Sequence, residues 1–119
     1  MVVDAAAWRT WLAKHGASAA EAWLVLAKKG GASPTRLTYQ EALEEALCFG
    51  WIDGQVRRRD EGSYRQRFTP RRPRSGWSKR NVQLAERLIA TGRMRPPGRA
   101  AVEQARADGL WETAYAGPA

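Results

Sequence analysis

The sequence predicts a small single α+β domain, in which a short antiparallel sheet is packed by about four helices. Two kinds of local signal support this: capping residues precede segments with apolar residues at helical spacing, and two β-compatible runs flank a turn. A length of 119 residues suits one domain with a modest core. We expect the sheet to contain a hairpin over about residues 51–68 and a strand over about residues 23–28.

Two helices are predicted in the first half of the chain. Asp4 is placed to cap a helix that ends at Gly16. Thr38 and Glu41 have the spacing of a capping box, followed by apolar residues on one face, which predicts a helix over 39–48.

Two further helices are predicted in the second half. Either Ser75 or Ser78 caps a helix that Gly92 ends. Pro97, in a first helical turn, opens another that ends at Gly109.

The segment 18–34 carries three signals between the first two helices. Residues 18–21 have the spacing of a capping box, which predicts a short helical turn. Residues 23–27 are apolar throughout, which favours a strand buried on both faces, with a helix as the alternative. Residues 30–34 are rich in Gly, Ser and Pro and predict a flexible loop.

The predicted hairpin turns at Asp60-Glu61-Gly62, so that Arg57 lies opposite Arg65. Alternation then predicts two faces. One carries Asp53, Gln55, Arg57, Arg59, Arg65 and Arg67, and the other carries Ile52, Val56, Tyr64 and Phe68. Four arginines on one face repel one another. We therefore expect a ligand, or the carboxylates of Glu41, Glu45 and Asp53, to neutralise them.

The charge of the chain is concentrated in residues 57–80, which hold ten Lys or Arg residues and two acidic residues, while the rest of the chain has no net charge. Aromatic residues alternate with this charge, and its end meets the start of a predicted helix, where free N–H groups attract anions. The pattern predicts a surface for an anionic partner: nucleic acid, a phosphorylated small molecule or an acidic protein surface. The candidate ligand-binding residues are Arg57, Tyr64, Arg65, Arg67, Phe68, Arg71, Arg72, Trp77, Ser78, Lys79 and Asn81.

An enzyme is the alternative class, with Asp53 or Glu41 as general base and arginines that bind an anionic substrate. Paired carboxylates on an amphipathic helix are more often a solvated face, which we expect for Glu41, Glu44 and Glu45. The sequence offers no nucleophile–base pair, metal-ligand cluster or Gly-rich phosphate loop. We therefore predict a non-enzymatic protein without catalytic residues, cofactor or metal.

The compartment and the core are indicated by Cys and Trp usage. Cys48 is the only cysteine, so no disulfide can form within the chain, and we expect it to pack as a small hydrophobic residue. The first 16 residues lack the pattern of a signal peptide, and no apolar run is long enough for a membrane span. We expect a cytoplasmic protein without membrane insertion; the sequence does not indicate its oligomeric state. Of the six tryptophans, about four are expected in the core.

Three runs resemble the YdeI/OmpD-associated family, also called bacteriocin-protection proteins: ALEEALCFGWIDG, YRQRFTPRRPRSGWSKRN and GRMRPPGRAAVEQARADGLWETAY. The resemblance extends from about Trp8 to Tyr115, and the chain as a whole is identified as one such domain. It implies a small α+β fold and a role in resistance to stress, bacteriocins or antimicrobial peptides. The matching positions are Trp51, Asp53, Arg67, Phe68, Arg71, Arg72, Ser75, Trp77, Ser78, Lys79 and Asn81.

Overall fold

A three-stranded antiparallel sheet and four helices are present in residues 2–29 and 35–114, the part of the chain that the computed structural model describes. The predicted α+β class is confirmed. The elements are α1 (Ala5–His15), β1 (Ala22–Ala27), α2 (Tyr39–Cys48), β2 (Trp51–Arg58), β3 (Ser63–Pro70), α3 (Lys79–Ala90) and α4 (Pro96–Ala107).

Helices α1, α2 and α3 begin where a side chain satisfies free backbone N–H groups, whereas α4 begins at prolines without a side-chain cap. The Asp4 carboxylate accepts a hydrogen bond from Ala7 N at 2.8 Å. Both halves of the capping box between Thr38 and Glu41 are formed at the start of α2. Ser78, and not Ser75, caps α3.

The sheet has the order β1-β3-β2, which makes β3 the central strand. The predicted pairing of Arg57 with Arg65 is confirmed. Farther along β2 the register shifts by one residue between Asp53 and Val56, so that Asp53 pairs with Phe68. This β-bulge inserts one extra residue into β2 and reverses the faces beyond it.

The bulge corrects the two predicted faces of the hairpin. Asp53 shares the core face with Phe68 and does not lie with the arginines, while Ile52 pairs with Thr69 on the opposite face. The buried Gln66 side chain donates a hydrogen bond to the carbonyl of Gly54, inside the bulge. A buried polar side chain on β3 thus satisfies a backbone acceptor where the ladder is interrupted.

The core has two parts. The larger lies between the helices and the inner face of the sheet, and contains Trp8, Leu12, Leu24, Leu26, Leu37, Leu43, Leu47, Trp51 and Phe68. The smaller joins α3, α4 and the segment before α3 through Trp77, Ala85, Val102 and Ala105. Three of the six tryptophans are buried, Trp11 and Trp111 are half-buried, and Trp23 is exposed. The number of fully buried tryptophans is therefore three, one fewer than the four or so expected in the core.

β1 differs from the strand predicted to be buried on both faces. It is an edge strand with Leu24 and Leu26 in the core, whereas Trp23 on its other face is 37% exposed. Val25 on the same face is half-buried, so the apolar residues of this face are only partly covered. Its free edge is met by residues 35–37, where Ala27 N donates to the carbonyl of Leu37 at 2.9 Å.

The helical turn predicted at residues 18–21 does not form. The Ser18 hydroxyl donates to the carbonyl of His15 at the end of α1, and Glu21 pairs with Arg67 of β3. Ser18 and Glu21, the two side chains of the predicted capping box, therefore bond to other residues. The loop predicted at residues 30–34 lies outside the described residues.

Candidate anion-binding surfaces

The structure divides the basic stretch, residues 57–80, between two surfaces. Its first half forms the hairpin of β2 and β3, and its second half forms a loop and the first turn of α3. We call the exposed face of the sheet the arginine face; its residues are Trp23, Val25, Arg57, Arg65 and Arg67. Cross-strand pairing places them together, because Trp23 lies opposite Arg67, and Arg65 lies between Val25 and Arg57.

Within the arginine face, Arg57 and Arg65 are direct neighbours on adjacent strands, an arrangement that is electrostatically unfavourable. The Arg57 guanidinium lies 5.3 Å from the centroid of the Trp23 ring. Arg67 pairs with Glu21 at 2.7 Å, and this hydrogen bond holds the pKa of the Glu21 carboxyl below its usual range. Arg65 makes no ion pair with any described residue.

None of the three carboxylates expected to neutralise these arginines does so. Asp53 is on the other face and accepts a hydrogen bond from the Tyr39 hydroxyl at 2.8 Å. Glu41 is held in the capping box by Thr38. Glu45 is only 3% exposed and pairs with Arg9 and Arg93, which corrects its prediction as part of a solvated face.

Asp53, the candidate general base of the enzyme alternative, is hydrogen-bonded to Tyr39. Burial and then the bond to Asp53 raise the pKa of the Tyr39 hydroxyl, so the phenol stays protonated and donates to the carboxylate. Asp53 makes no ion pair with an arginine among the described residues, and it does not line the cleft of about 350 Å³ described below. This hydrogen bond joins the start of α2 to β2.

Four predicted ligand-binding side chains lie in the interior. Phe68 and Ser78 are 0% exposed, Asn81 is 1% exposed and Trp77 is 4% exposed. Phe68 packs against Trp8, and the Ser78 hydroxyl is used by the cap of α3. These four side chains therefore contribute to packing beneath the basic surface and are not exposed to a ligand. Tyr64 is half-buried on the inner face of the sheet, and Lys79 is exposed at the start of α3.

Arg71 is a structural part of the loop before α3. Its Nη1 donates to the Ser75 hydroxyl at 2.9 Å and to the Gly76 carbonyl at 3.2 Å. Its guanidinium stacks on the Trp77 ring, 3.7 Å from the centroid. The backbone N–H of Arg71 donates to the carbonyl of Gly50. These contacts hold the loop against the body of the domain.

A cleft of about 350 Å³ lies between residues 70–77 and α4, and we call it the loop–helix cleft. Its lining includes the apolar residues Phe49, Trp51, Trp77, Ala101 and Leu110, and the polar residues Arg71, Arg72, Arg74, Gln104 and Asp108. Arg72 and Arg74 are exposed and make no ion pair with the described residues. Arg74 has φ of 65°, in the left-handed region that non-glycine residues seldom adopt.

Two functional candidates were not among the predicted site residues. The sequence predicts Trp23 within a strand buried on both faces, and it predicts Arg74 only as part of an exposed basic loop. The apolar run of β1 contains no signal that its second face is open. Arg74 has a weak signal, because it is a cation between a Pro and a Ser in a loop.

Cys48 lies in the core and not at either candidate surface. Cys48 is 1% exposed, and burial raises the pKa of its thiol to about 11, so its predicted place in the core is confirmed. Across residues 2–29 and 35–114, no three His, Cys, Asp or Glu side chains come together as metal ligands would. In the same residues, no helix has the length and hydropathy needed to cross a membrane.

Comparison with known proteins places the chain in a family without assigning a function. Residues 1–101 match the family model described as Domain of unknown function (DUF8412). The chain belongs to this family. No curated protein matches the chain, and neither does any solved structure. The matched span contains the whole sheet and the basic loop, and ends within α4.

Proposed function

We propose that this chain is a non-enzymatic binding protein that holds an anionic ligand on its arginine face. The observation that carries the proposal is the pair formed by Arg57 and Arg65, which are opposite each other, exposed and without a carboxylate between them. Like charges in direct cross-strand contact weaken a sheet. A ligand that brings negative charge removes this repulsion, so binding an anion at this pair is electrostatically favourable.

Single-stranded nucleic acid is the anion that this face suits best. Its phosphates supply the negative charge along a line, and its bases stack on aromatic rings or on guanidinium planes. The arginine face offers both, because the exposed Trp23 ring lies beside Arg57 and opposite Arg67. The surface of an antiparallel sheet is also flat enough for several bases to lie side by side.

Binding can be measured by the fluorescence anisotropy of labelled single-stranded RNA and DNA dodecamers at rising salt. In the joint variant Arg57→Gln, Arg65→Gln we expect affinity to fall at least about tenfold. The log–log salt slope should flatten by about two units, because each of the two arginines no longer neutralises a phosphate. The matched control is Arg87→Gln, Arg99→Gln, which removes two exposed arginines from α3 and α4. It should change affinity much less than the first variant.

The same titration separates the possible anions. If an acidic peptide or a polyphosphate competes as well as RNA, the ligand is defined by charge and the nucleic acid assignment fails, while anion binding stands. If both double variants lose the same affinity, only net charge matters, and the arginine face is not the site. Thermal melting of each variant establishes that it is folded.

The resemblance to bacteriocin-protection proteins leads us to propose resistance to stress or to antimicrobial peptides as the biological role. We also propose that the protein acts in the cytoplasm, where its single thiol stays reduced. Cells that lack the protein should lose survival under such stress, and should regain it with the wild-type chain but not with Arg57→Gln, Arg65→Gln. Equal rescue by both chains contradicts the link between the surface and the role, and fractionation of the same cells tests the compartment.

A further inference from the structure

The loop–helix cleft has an apolar interior. Phe49, Trp51 and Trp77 are buried side chains that line it, and Ala101 and Leu110 add apolar surface from α4 and the segment that follows it. A concave site lined by aromatic and aliphatic groups is the usual setting for a small molecule, and about 350 Å³ is at the small end of such sites. The space suits a body of one or two rings.

The exposed side of the cleft is cationic. Arg72 and Arg74 line it without an ion pair among the described residues, and Asp108 is the acidic residue of the lining. The Gln104 amide donates to both oxygens of Asp108 at 3.0 Å, so this carboxylate already has a hydrogen-bond partner. A neutral amide leaves the charge of Asp108 in place, but the three arginines at positions 71, 72 and 74 outnumber it, so the lining keeps a net positive charge for an incoming anion.

The backbone that presents these arginines is held in place before any ligand arrives. Arg71 joins the loop to Ser75, Gly76 and Trp77, and its N–H is tied to Gly50. Arg74 follows in a left-handed conformation that an arginine adopts at a cost in free energy. Preorganisation of this kind reduces the entropic cost of binding.

From this geometry we infer that the loop–helix cleft binds a small molecule with an apolar ring body and one carboxylate or phosphate head. The ring body packs against Trp77 and Leu110, and the head is bound by Arg72 and Arg74, whose guanidinium groups suit both acids. This site shares no residue with the arginine face. It is independent of the nucleic acid proposal.

The test uses 1-naphthyl phosphate and 1-naphthoate as probes, with 1-naphthol and inorganic phosphate as the two halves of the first probe. Titration of the ¹⁵N-labelled protein should shift amide signals of residues 70–77 and 100–110. We expect at least one of the two acids to bind about tenfold or more tightly than naphthol or phosphate. Comparison of the two acids shows which head the cleft prefers.

Three variants make the result specific. In Arg72→Gln, Arg74→Asn the preferred acid should bind at least about tenfold more weakly, while naphthol binding changes little. Arg87→Gln, Arg99→Gln, with the same reduction in charge, should bind the acid as the wild type does. Arg57→Gln, Arg65→Gln should do so too, even if it no longer binds nucleic acid.

The inference is overturned by any of three results. The first is no binding of either acid. The second is a set of shifts that lies outside residues 70–77 and 100–110. The third is equal affinity of the folded Arg72→Gln, Arg74→Asn protein and the wild type for the preferred acid.

Discussion

Arg65 and Arg71 are close in the chain but differ in what surrounds them. Arg65 projects from the central strand into solvent, opposite another arginine and without an ion pair among the described residues. Arg71 is half-buried against Trp77 and donates two hydrogen bonds within its own loop. The comparison teaches that a run of basic residues contains two kinds of arginine: one that leaves its charge available and one that builds structure.

The largest expected effect separates these two kinds by stability. Arg71→Gln removes a stacked cation and hydrogen bonds from a charged donor, so we expect the free energy of unfolding to fall by about 2–3 kcal/mol. Arg65→Gln removes a repulsive neighbour of Arg57 and should change it by less than about 0.5 kcal/mol. Urea denaturation measures both. Equal losses of unfolding free energy in the two variants would contradict the distinction between a structural arginine and an available one.

A smaller effect is expected at Asp53, which the β-bulge carries away from the arginine face. Asp53→Asn weakens the hydrogen bond from Tyr39 and should reduce the free energy of unfolding by about 1 kcal/mol. RNA affinity should stay unchanged, because the carboxylate does not lie on that face. A stable variant that no longer binds the ligand would return Asp53 to the functional site.

The strained arginine of the cleft gives an effect of opposite sign. Asn tolerates the left-handed region better than Arg, so Arg74→Asn should raise the free energy of unfolding by roughly 0.5 kcal/mol. Arg72→Asn is the matched control, since φ at Arg72 is not positive and no strain is relieved. Thermal melts of the two proteins test this, and a lower melting temperature for Arg74→Asn than for Arg72→Asn contradicts it.

The smallest effect is expected at Glu21, an exposed acid that reduces the charge of the arginine face. Glu21→Gln releases Arg67 from its ion pair, so RNA should bind about two- to fivefold more tightly at low salt. The gain should disappear as salt rises. The control Glu103→Gln removes an exposed acid from α4 and should have less effect. Weaker binding by Glu21→Gln would mean that the Glu21–Arg67 pair itself contacts the ligand.

Local signals in the sequence determined most of the elements. The caps at Asp4 and Thr38 define helix starts, because they satisfy N–H groups within three residues in the chain. The turn at residues 60–62 sets the pairing of Arg57 with Arg65 for the same reason. The concentration of charge in residues 57–80 is also a property of the sequence alone.

Only the tertiary structure decided which side chains are available at the surface. The bulge in β2 moves Asp53 to the core face, and the place of Trp23 on the outer face of the sheet leaves it exposed. Glu45 is buried because Arg9 and Arg93 reach it from distant parts of the chain. Arg71 is fixed by Trp77, whereas Arg65 stays free to meet a ligand. Each outcome depends on contacts between elements that are remote in sequence, and periodicity within one element carries no information about such contacts.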